Sequence, residues 1–344
     1  MTETAALSLD AEPVTSRAAG PCFEAYDAEF ESVLGRYARL ALVAEIDAHE
    51  GPVYNRGEDA LYFTTVPRAP SVLAGAPRAA IRRLALDGLS LPVDPSRLST
   101  VPAPVHMPNG MTLGHDGRLV VCEQGTRSAP ARISRVDPLT GRVETLVDNW
   151  GGLRLNSPND VVVRHDGTIW FTDPSYGYLQ GFRPEPQVGD HVYRFDPRSG
   201  RLSVVADGLD KPNGLAFSPD ERTLYVTDSG ANAEPGSYHV ARPHHVVAFD
   251  VLDGRHLGSG RLFAVTTPGF PDGIKVDRAG RVYASASSGV QVFGQAGDLI
   301  GQISLPGAVN FTFGGPGGQV LFITTDTAIW AAVLATAAAG QEHS

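Results

Sequence analysis

The chain has 344 residues, 42% apolar and 19% charged, with 38 Gly, 26 Pro and 2 Cys. Its net charge of −10 argues against a nucleic-acid surface and against an anionic-membrane surface. The high Gly and Pro content with few charges favours many turns over a helical bundle. Cys22 and Cys122 make neither a metal-type pair nor a framework of bridges, so two reduced thiols in a cytoplasmic protein are expected.

Residues 1–20 lack a basic start followed by an apolar stretch, and read as a flexible N-terminal segment without a secretory signal. No apolar run is long enough for a membrane span. The segment RLALVAEI at 39–46 reads as a strand. From there a unit repeats: a turn tripeptide, a short apolar strand, a Gly- or Asp-centred hairpin and a second apolar strand. The copies are EGPVYNRGEDALYFTT at 50–65, PNGMTLGHDGRLVVCE at 108–123 and PNDVVVRHDGTIWFTD at 158–173. They continue as PNGLAFSPDERTLYVTD at 212–228, PDGIKVDRAGRVYASA at 271–286 and NFTFGGPGGQVLFITT at 310–325. Third strands follow at 131–137, 191–196 and 245–250, and fourth strands at 142–148 and 201–207.

Six units of four antiparallel strands predict an all-β, six-bladed β-propeller in a single domain over 21–338. The last unit has room for only three strands before Leu334, so 39–46 is expected to supply the fourth and close the ring. Closure would remove two exposed sheet edges.

Aligning the copies on their hairpins places Glu50, Asn109, Asn159, Asn213, Asp272 and Asn310 eight positions before Glu58, Gly117, Gly167, Glu221, Gly280 and Gly318. First strands of propeller blades line the channel, so six oxygen-bearing side chains should ring one mouth at equal height. Asn and Asp between Pro and Gly are also common turn formers, and for any one of them the turn is the simpler reading. That reading leaves Glu50 unexplained. Two carboxylates with amide oxygens suit Ca2+, with Mg2+ and Mn2+ as alternatives. Zn2+ is disfavoured, because no Cys or His stands in the ring.

The second strands return to the same face and end at Thr65, Glu123, Asp173, Asp228, Ala286 and Thr325. The three acids are candidates for the site, with a strand-end turn role equally open to them. Long connections at 174–191, which carries Tyr176, and at 229–245 should overhang the mouth as walls or lids of a substrate pocket.

The runs EGPVY, CEQGTR, RLNSPNDVVVRHDGTIWFTDPSYG, KPNGLAFSPDERTLYVTDSG, FPDGIKVD and FTFGGPGG resemble the senescence-marker-protein/gluconolactonase family of six-bladed propeller lactonases, from residue 48 to about 330. The resemblance is greatest to the bacterial gluconolactonase-like branch. It implies one catalytic divalent metal held by Glu50, Asn159, Asn213 and Asp272. It implies that Asp272 is the proton donor and acceptor, and that Asn109 and Asn310 lie behind the metal or touch substrate. The chain departs from the family at Thr64-Thr65, Tyr54, Gln124 and Ser157, where Ser-Asp, Trp, His and, in animal members, Arg are common. Arg154 is the guanidinium nearest in sequence to Ser157, so the substrate stays open while the metal set is intact.

The expected activity is hydrolysis of a lactone, a small-molecule cyclic ester, with the carbonyl polarised by the cation and water deprotonated by a carboxylate. Asp272 is the first candidate base and Asp173 the second, because a carboxylate bound to a cation is a weak base. Asn109, Glu123, Asn159, Asp228 and Tyr176 are the candidate substrate contacts. A phosphotriester hydrolase on the same metal site, or a non-catalytic propeller that binds partners, are the alternatives. A monomer or small homo-oligomer with no nucleic-acid or membrane partner is expected.

Overall fold

The computed structural model describes residues 22–68, 77–86, 88, 91–233 and 237–339, so the segment expected to be loose, 1–20, lies outside the described residues. Six antiparallel sheets form the blades of a propeller. Blade one holds Val53–Asn55, Ala60–Thr64, Ile81–Ala85 and Leu98–Thr100. Blade two holds Pro108–Leu113, Leu119–Glu123, Arg132–Val136 and Val143–Val147. Blade three holds Val161–Val163, Ile169–Asp173, His191–Asp196 and Arg201–Ala206. Blade four holds Pro212–Phe217, Thr223–Asp228, His245–Leu252 and Arg261–Val265. Blade five holds Ile274–Val276, Val282–Ala286, Gly289–Phe293 and Leu299–Ser304. Blade six holds Asn310–Gly314, Val320–Thr324 and Ile329–Val333, and is completed by Arg39–Ala44 from the other end of the chain.

That closing strand pairs antiparallel with Ile329–Val333, Arg39 opposite Val333 and Leu42 opposite Trp330. The ring therefore closes as the short sixth repeat required. The second strand of each blade is buried almost throughout. Each lies between two neighbouring blades, which is why it is apolar on both faces rather than alternating. Between blades six and one, for example, Leu61 and Phe63 pack with Phe322 and Ala331. The hairpins between first and second strands turn through a left-handed residue, which is Gly117, Gly167, Glu221, Gly280 and Gly318 in blades two to six. In blade one that residue is Asp59, not Glu58, so the first copy is one residue longer than its spacing implied.

Three of the elements outside the repeat cover or extend blades. Phe23–Ala25 adds a fifth strand to the outer edge of blade five. The helix Glu29–Leu34 follows and buries Phe30 and Val33 in the core shared by blades five and six. Gly301 makes room for the Phe30 ring, since a Cβ there would lie 2.2 Å from it. The third is a small hairpin, His256–Leu257 against the end of His245–Leu252, which delays the last strand of blade four to 261. No helix among the described residues is long and apolar enough to cross a membrane.

Phe30 is fully buried in the core shared by blades five and six. Phe30→Ala is expected to lower stability by about 3–5 kcal/mol, the usual result of emptying a buried aromatic site, measured by urea unfolding.

Candidate active site

The first strands converge on one mouth of the channel, where consecutive blades are tied backbone to backbone. The Gly110 amide donates to the Asn159 carbonyl (2.7 Å), Gly214 to Asp272 (3.2 Å) and Gly273 to Val309 (3.0 Å). The Thr172 hydroxyl donates to the Asn213 carbonyl (2.6 Å), Thr227 to Asp272 (3.0 Å) and Thr324 to His49 (2.6 Å). A Cβ on Gly110 would lie 2.3 Å from the Asn159 carbonyl oxygen, and one on Gly214 would lie 2.4 Å from that of Asp272. The glycine after these mouth residues is thus demanded by the neighbouring blade, and not by a turn.

Strand pairing also sorts the six aligned residues into two layers. Asn159 donates its amide to the Thr172 carbonyl (2.9 Å), as His49 does to Thr64 (2.8 Å) and Val309 to Thr324 (2.9 Å). The residue one further along accepts from the second strand: Glu50 from the Thr64 amide (2.8 Å), Asp160 from Thr172 (3.1 Å) and Gly273 from Ser285 (3.1 Å). Glu50 and Asn310 therefore align with Asp160 and Gly273, one residue beyond Asn159, Asn213 and Asp272. The expected equal height is corrected at these two blades. The physical reason is strand length: in blade six regular pairing runs from Asn310 opposite Thr324 to Gly314 opposite Val320, one pair longer than from Asp160, facing Thr172, to Val163 opposite Ile169, and in blade one the hairpin turns at Asp59, so alignment on the hairpins misplaces both.

The offset does not scatter the side chains. The Glu50 carboxyl and the Asn213 amide both lie against the Asp272 carboxyl, and the Asn310 amide donates to Glu50 Oε2 at 2.7 Å. Burial, then the charge of Glu50, raises the proton affinity of Asp272 well above the ordinary carboxylate value. Asp160, directly behind Asn159, is pushed up to about 6 by burial, against the opposing charge of Lys275. His49 stands beside this acid group with Nδ1 2.6 Å from Asp326 Oδ1. Burial alone would lower its pKa, but the Asp326 hydrogen bond and the charges of Glu50 and Asp272 outweigh that and hold it at about 9.

Two amide oxygens, Asn109 Oδ1 and Asn159 Oδ1, are buried with no hydrogen-bond partner. Buried polar atoms without partners are rare and call for an explanation. Like the Glu50 and Asp272 carboxyls, they are hard oxygen donors, the type a divalent cation such as Ca2+ takes. Asn310 differs: its Oδ1 accepts from the Phe311 amide (2.7 Å) and its nitrogen orients Glu50.

The three strand-end acids accept hydrogen bonds from the backbone before the mouth, and the charge of Asp228 also acts on Tyr176. Glu123 accepts from the His106 amide (2.7 Å) and from Arg132 (2.8 Å). Asp228 accepts from the amides of Asp210 and Lys211 (2.8 Å each). Asp173 accepts from the Asn156 amide (2.8 Å), its other oxygen is unpartnered, and Asp190 and Arg183 are its charged neighbours. Each acid braces the segment that leads into the mouth residue of its own blade. Burial pushes Asp173 up to about 8.

The connection 174–191 folds over this face as the helix Tyr176–Leu179 and a return segment. Ser157, two residues before Asn159, accepts from the Gly177 amide (2.9 Å) and donates to the Pro174 carbonyl (2.6 Å). Arg183 is buried and donates to the carbonyls of Asn156, Leu155, Thr126 and Ala129. These contacts carry Tyr176 inward. Its hydroxyl is buried without a well-formed hydrogen bond and faces Asp272, Asn213 and Ser229. Burial, then the charge of Asp272, raises its pKa, so it stays a proton donor.

A six-bladed propeller with an oxygen-rich mouth under a tyrosine-bearing loop defines a class. Residues 48–327 match the model of the SMP-30/Gluconolactonase/LRE-like region, and the chain belongs to that family. It is 34% identical over 301 residues to a gluconolactonase of Zymomonas mobilis, covering 82% of this chain and 77% of that one. It is 30% identical to the lactonohydrolase oryL of Aspergillus oryzae, covering 82% of this chain and 66% of that protein. The solved structure of a gluconolactonase from Xanthomonas campestris superposes with a TM-score of 0.74 at 34% identity, covering 94% of this chain and 96% of that one.

Two outcomes follow from this packing. Gly110→Ala is expected to lower stability by about 1–3 kcal/mol, whereas Gly208→Ala, which meets nothing within 4 Å, leaves it unchanged; thermal unfolding compares them. In the folded protein Asp173 holds a proton that the unfolded chain releases near 3.8, so stability falls as pH rises from there towards about 8. Asp173→Asn is expected to flatten that slope and to be relatively most stabilising at pH 8, as read from urea unfolding at a series of pH values.

Proposed function

We propose that this protein is a metal-dependent lactonase that opens a cyclic ester at the mouth built by Glu50, Asn159, Asn213 and Asp272. The observation that carries the reading is the buried Glu50–Asp272 carboxyl pair, set in the same mouth as the unpartnered oxygens of Asn109 and Asn159. Its family membership and its gluconolactonase and lactonohydrolase relatives support the substrate class. Glu50, Asn159, Asn213 and Asp272 would hold one divalent cation, Ca2+ by the hardness of the donors, with Asn109 beside them. When bound, such a cation supplies Lewis-acid polarisation of the lactone carbonyl.

The chain's own groups do the rest. Asp272 takes the proton of the attacking water and returns it to the ring oxygen as the acyl–oxygen bond breaks. Binding a cation weakens a carboxylate as a base, but the burial and the Glu50 charge that raise Asp272 work against that weakening. Asp173, protonated at neutral pH and turned to Asn156, holds the Asn159 segment and is no base. Glu123 and Asp228 brace their blades in the same way. Tyr176 donates a hydrogen bond to the substrate, and Asn109 contacts it. The connection 174–191 excludes water from above.

The reading is tested with gluconolactone, aliphatic and aromatic lactones and a chromogenic phosphotriester, each with and without chelator. Chelation is expected to abolish lactone opening and Ca2+ to restore it. Asp272→Asn should lower kcat/KM by about 10²–10⁴, and Glu50→Gln should remove the heat of Ca2+ binding in calorimetry. Turnover of the phosphotriester alone, or lactone opening indifferent to chelator, sinks the proposal.

A further inference from the structure

The two connections over the mouth are joined by ion pairs that no catalytic step uses. Lys211 lies two residues before Asn213, and its ammonium is 2.7 Å from Asp190 Oδ2 on the first connection. The same ammonium donates to the Asp210 carbonyl (2.9 Å) and lies 3.4 Å from Asp210 Oδ1. Asp210 is gripped from the second connection by Arg242, whose Nε and Nη2 lie at 3.0 and 2.7 Å. Asp190 also accepts from the Ser175 hydroxyl (3.1 Å), and Ser175 immediately precedes Tyr176. The Lys211 and Asp190 side chains are each 12% exposed. The chain Arg242–Asp210–Lys211–Asp190–Ser175 therefore runs from one connection, past the segment that carries Asn213, to the helix that carries Tyr176.

Ion pairs this buried contribute little net stability, because desolvation offsets most of the attraction. What they do supply is a fixed geometry. Lys211 reaches Asp190 across two blades, and its own amide is held by Asp228 (2.8 Å), so its backbone is anchored independently of the bridge. We propose that Lys211 is a positioning residue: through Asp190 and Ser175 it latches the connection 174–191 over the mouth and sets the Tyr176 hydroxyl against the substrate. This rests on the lactonase reading for its kinetic consequence and on geometry alone for its structural one.

Lys211→Met leaves Asn213 and the acid pair in place, so Ca2+ affinity should stay within about twofold while KM for the lactone rises about 5–20-fold, which at about 1.4 kcal/mol per tenfold is roughly 1–2 kcal/mol. Coupling to Tyr176 gives the sharper readout. Tyr176→Phe should cost about tenfold in kcat/KM in the parent, the loss of one hydrogen bond, and less than about twofold in the Lys211→Met background. Lys211→Arg should restore the parent coupling. Hydrogen exchange across 174–190 should quicken in Lys211→Met and Asp190→Asn and recover in Lys211→Arg. Additive losses at 211 and 176 with unchanged exchange over 174–190 overturn the proposal. If the parent opens no lactone in the panel, the lactonase reading fails by itself, and unchanged exchange in Lys211→Met then overturns the latch.

Discussion

Everything at the mouth depends on how closely six first strands can approach one another. Carbonyls of one blade press onto glycines or accept hydroxyls of the next, at distances that exclude a Cβ. That approach has two effects. It satisfies backbone groups that would otherwise face a narrow channel, and it fixes the side chains immediately beside those glycines. Glu50, Asn109, Asn213 and Asp272 are each followed by Gly, and so each stands where the backbone has least freedom to move. A site for a hard ion needs donors held at set positions, and the ring supplies that rigidity without relying on the donors' own packing.

The charges are graded around this ring. Two carboxyls meet at the centre, a protonated His49 flanks them, and Asp160 with Lys275 lies behind. The strand-end acids repeat one motif with another purpose: Glu123, Asp173 and Asp228 each hold the backbone that enters the mouth. Similar residues at similar heights thus divide into those that face the channel and those that support it. Glu123 and Asp228 have both oxygens taken, by backbone amides and, for Glu123, by Arg132, whereas Asn109 and Asn159 leave one open, as does Asp173.

The blade repeat was plain in the residues. PND, PNG and PDG followed by hairpins at fixed spacing define six units, and RLALVAEI had no partner except the short last one. The mouth residues were legible for the same reason. Their layering was not, because the first strands of blades one and six run longer before the hairpin, and alignment on the hairpins cannot show where the extra residues lie. The Thr or Ser at or one before the end of the second strands, Thr64, Thr172, Thr227, Ser285 and Thr324 with Cys122 in blade two, was a readable signal that hairpin alignment passed over. His49, Ser157, Arg183 and Lys211 act through contacts distant in sequence, and a repeat cannot reveal residues that occur in one blade only. The strand Phe23–Ala25 and the helix Glu29–Leu34 lie outside the repeat and announce themselves only by what they cover.

The closing strand has a temporal consequence. Arg39–Ala44 is synthesised well before its strand partner, Ile329–Val333, with five blades encoded between them. Throughout synthesis it travels as an unsatisfied apolar ribbon, and blades one to five must stack before it can dock. Newborn chains therefore carry an unpaired strand through the making of five blades, and a sheet edge that invites clumping stays open until the sixth is complete.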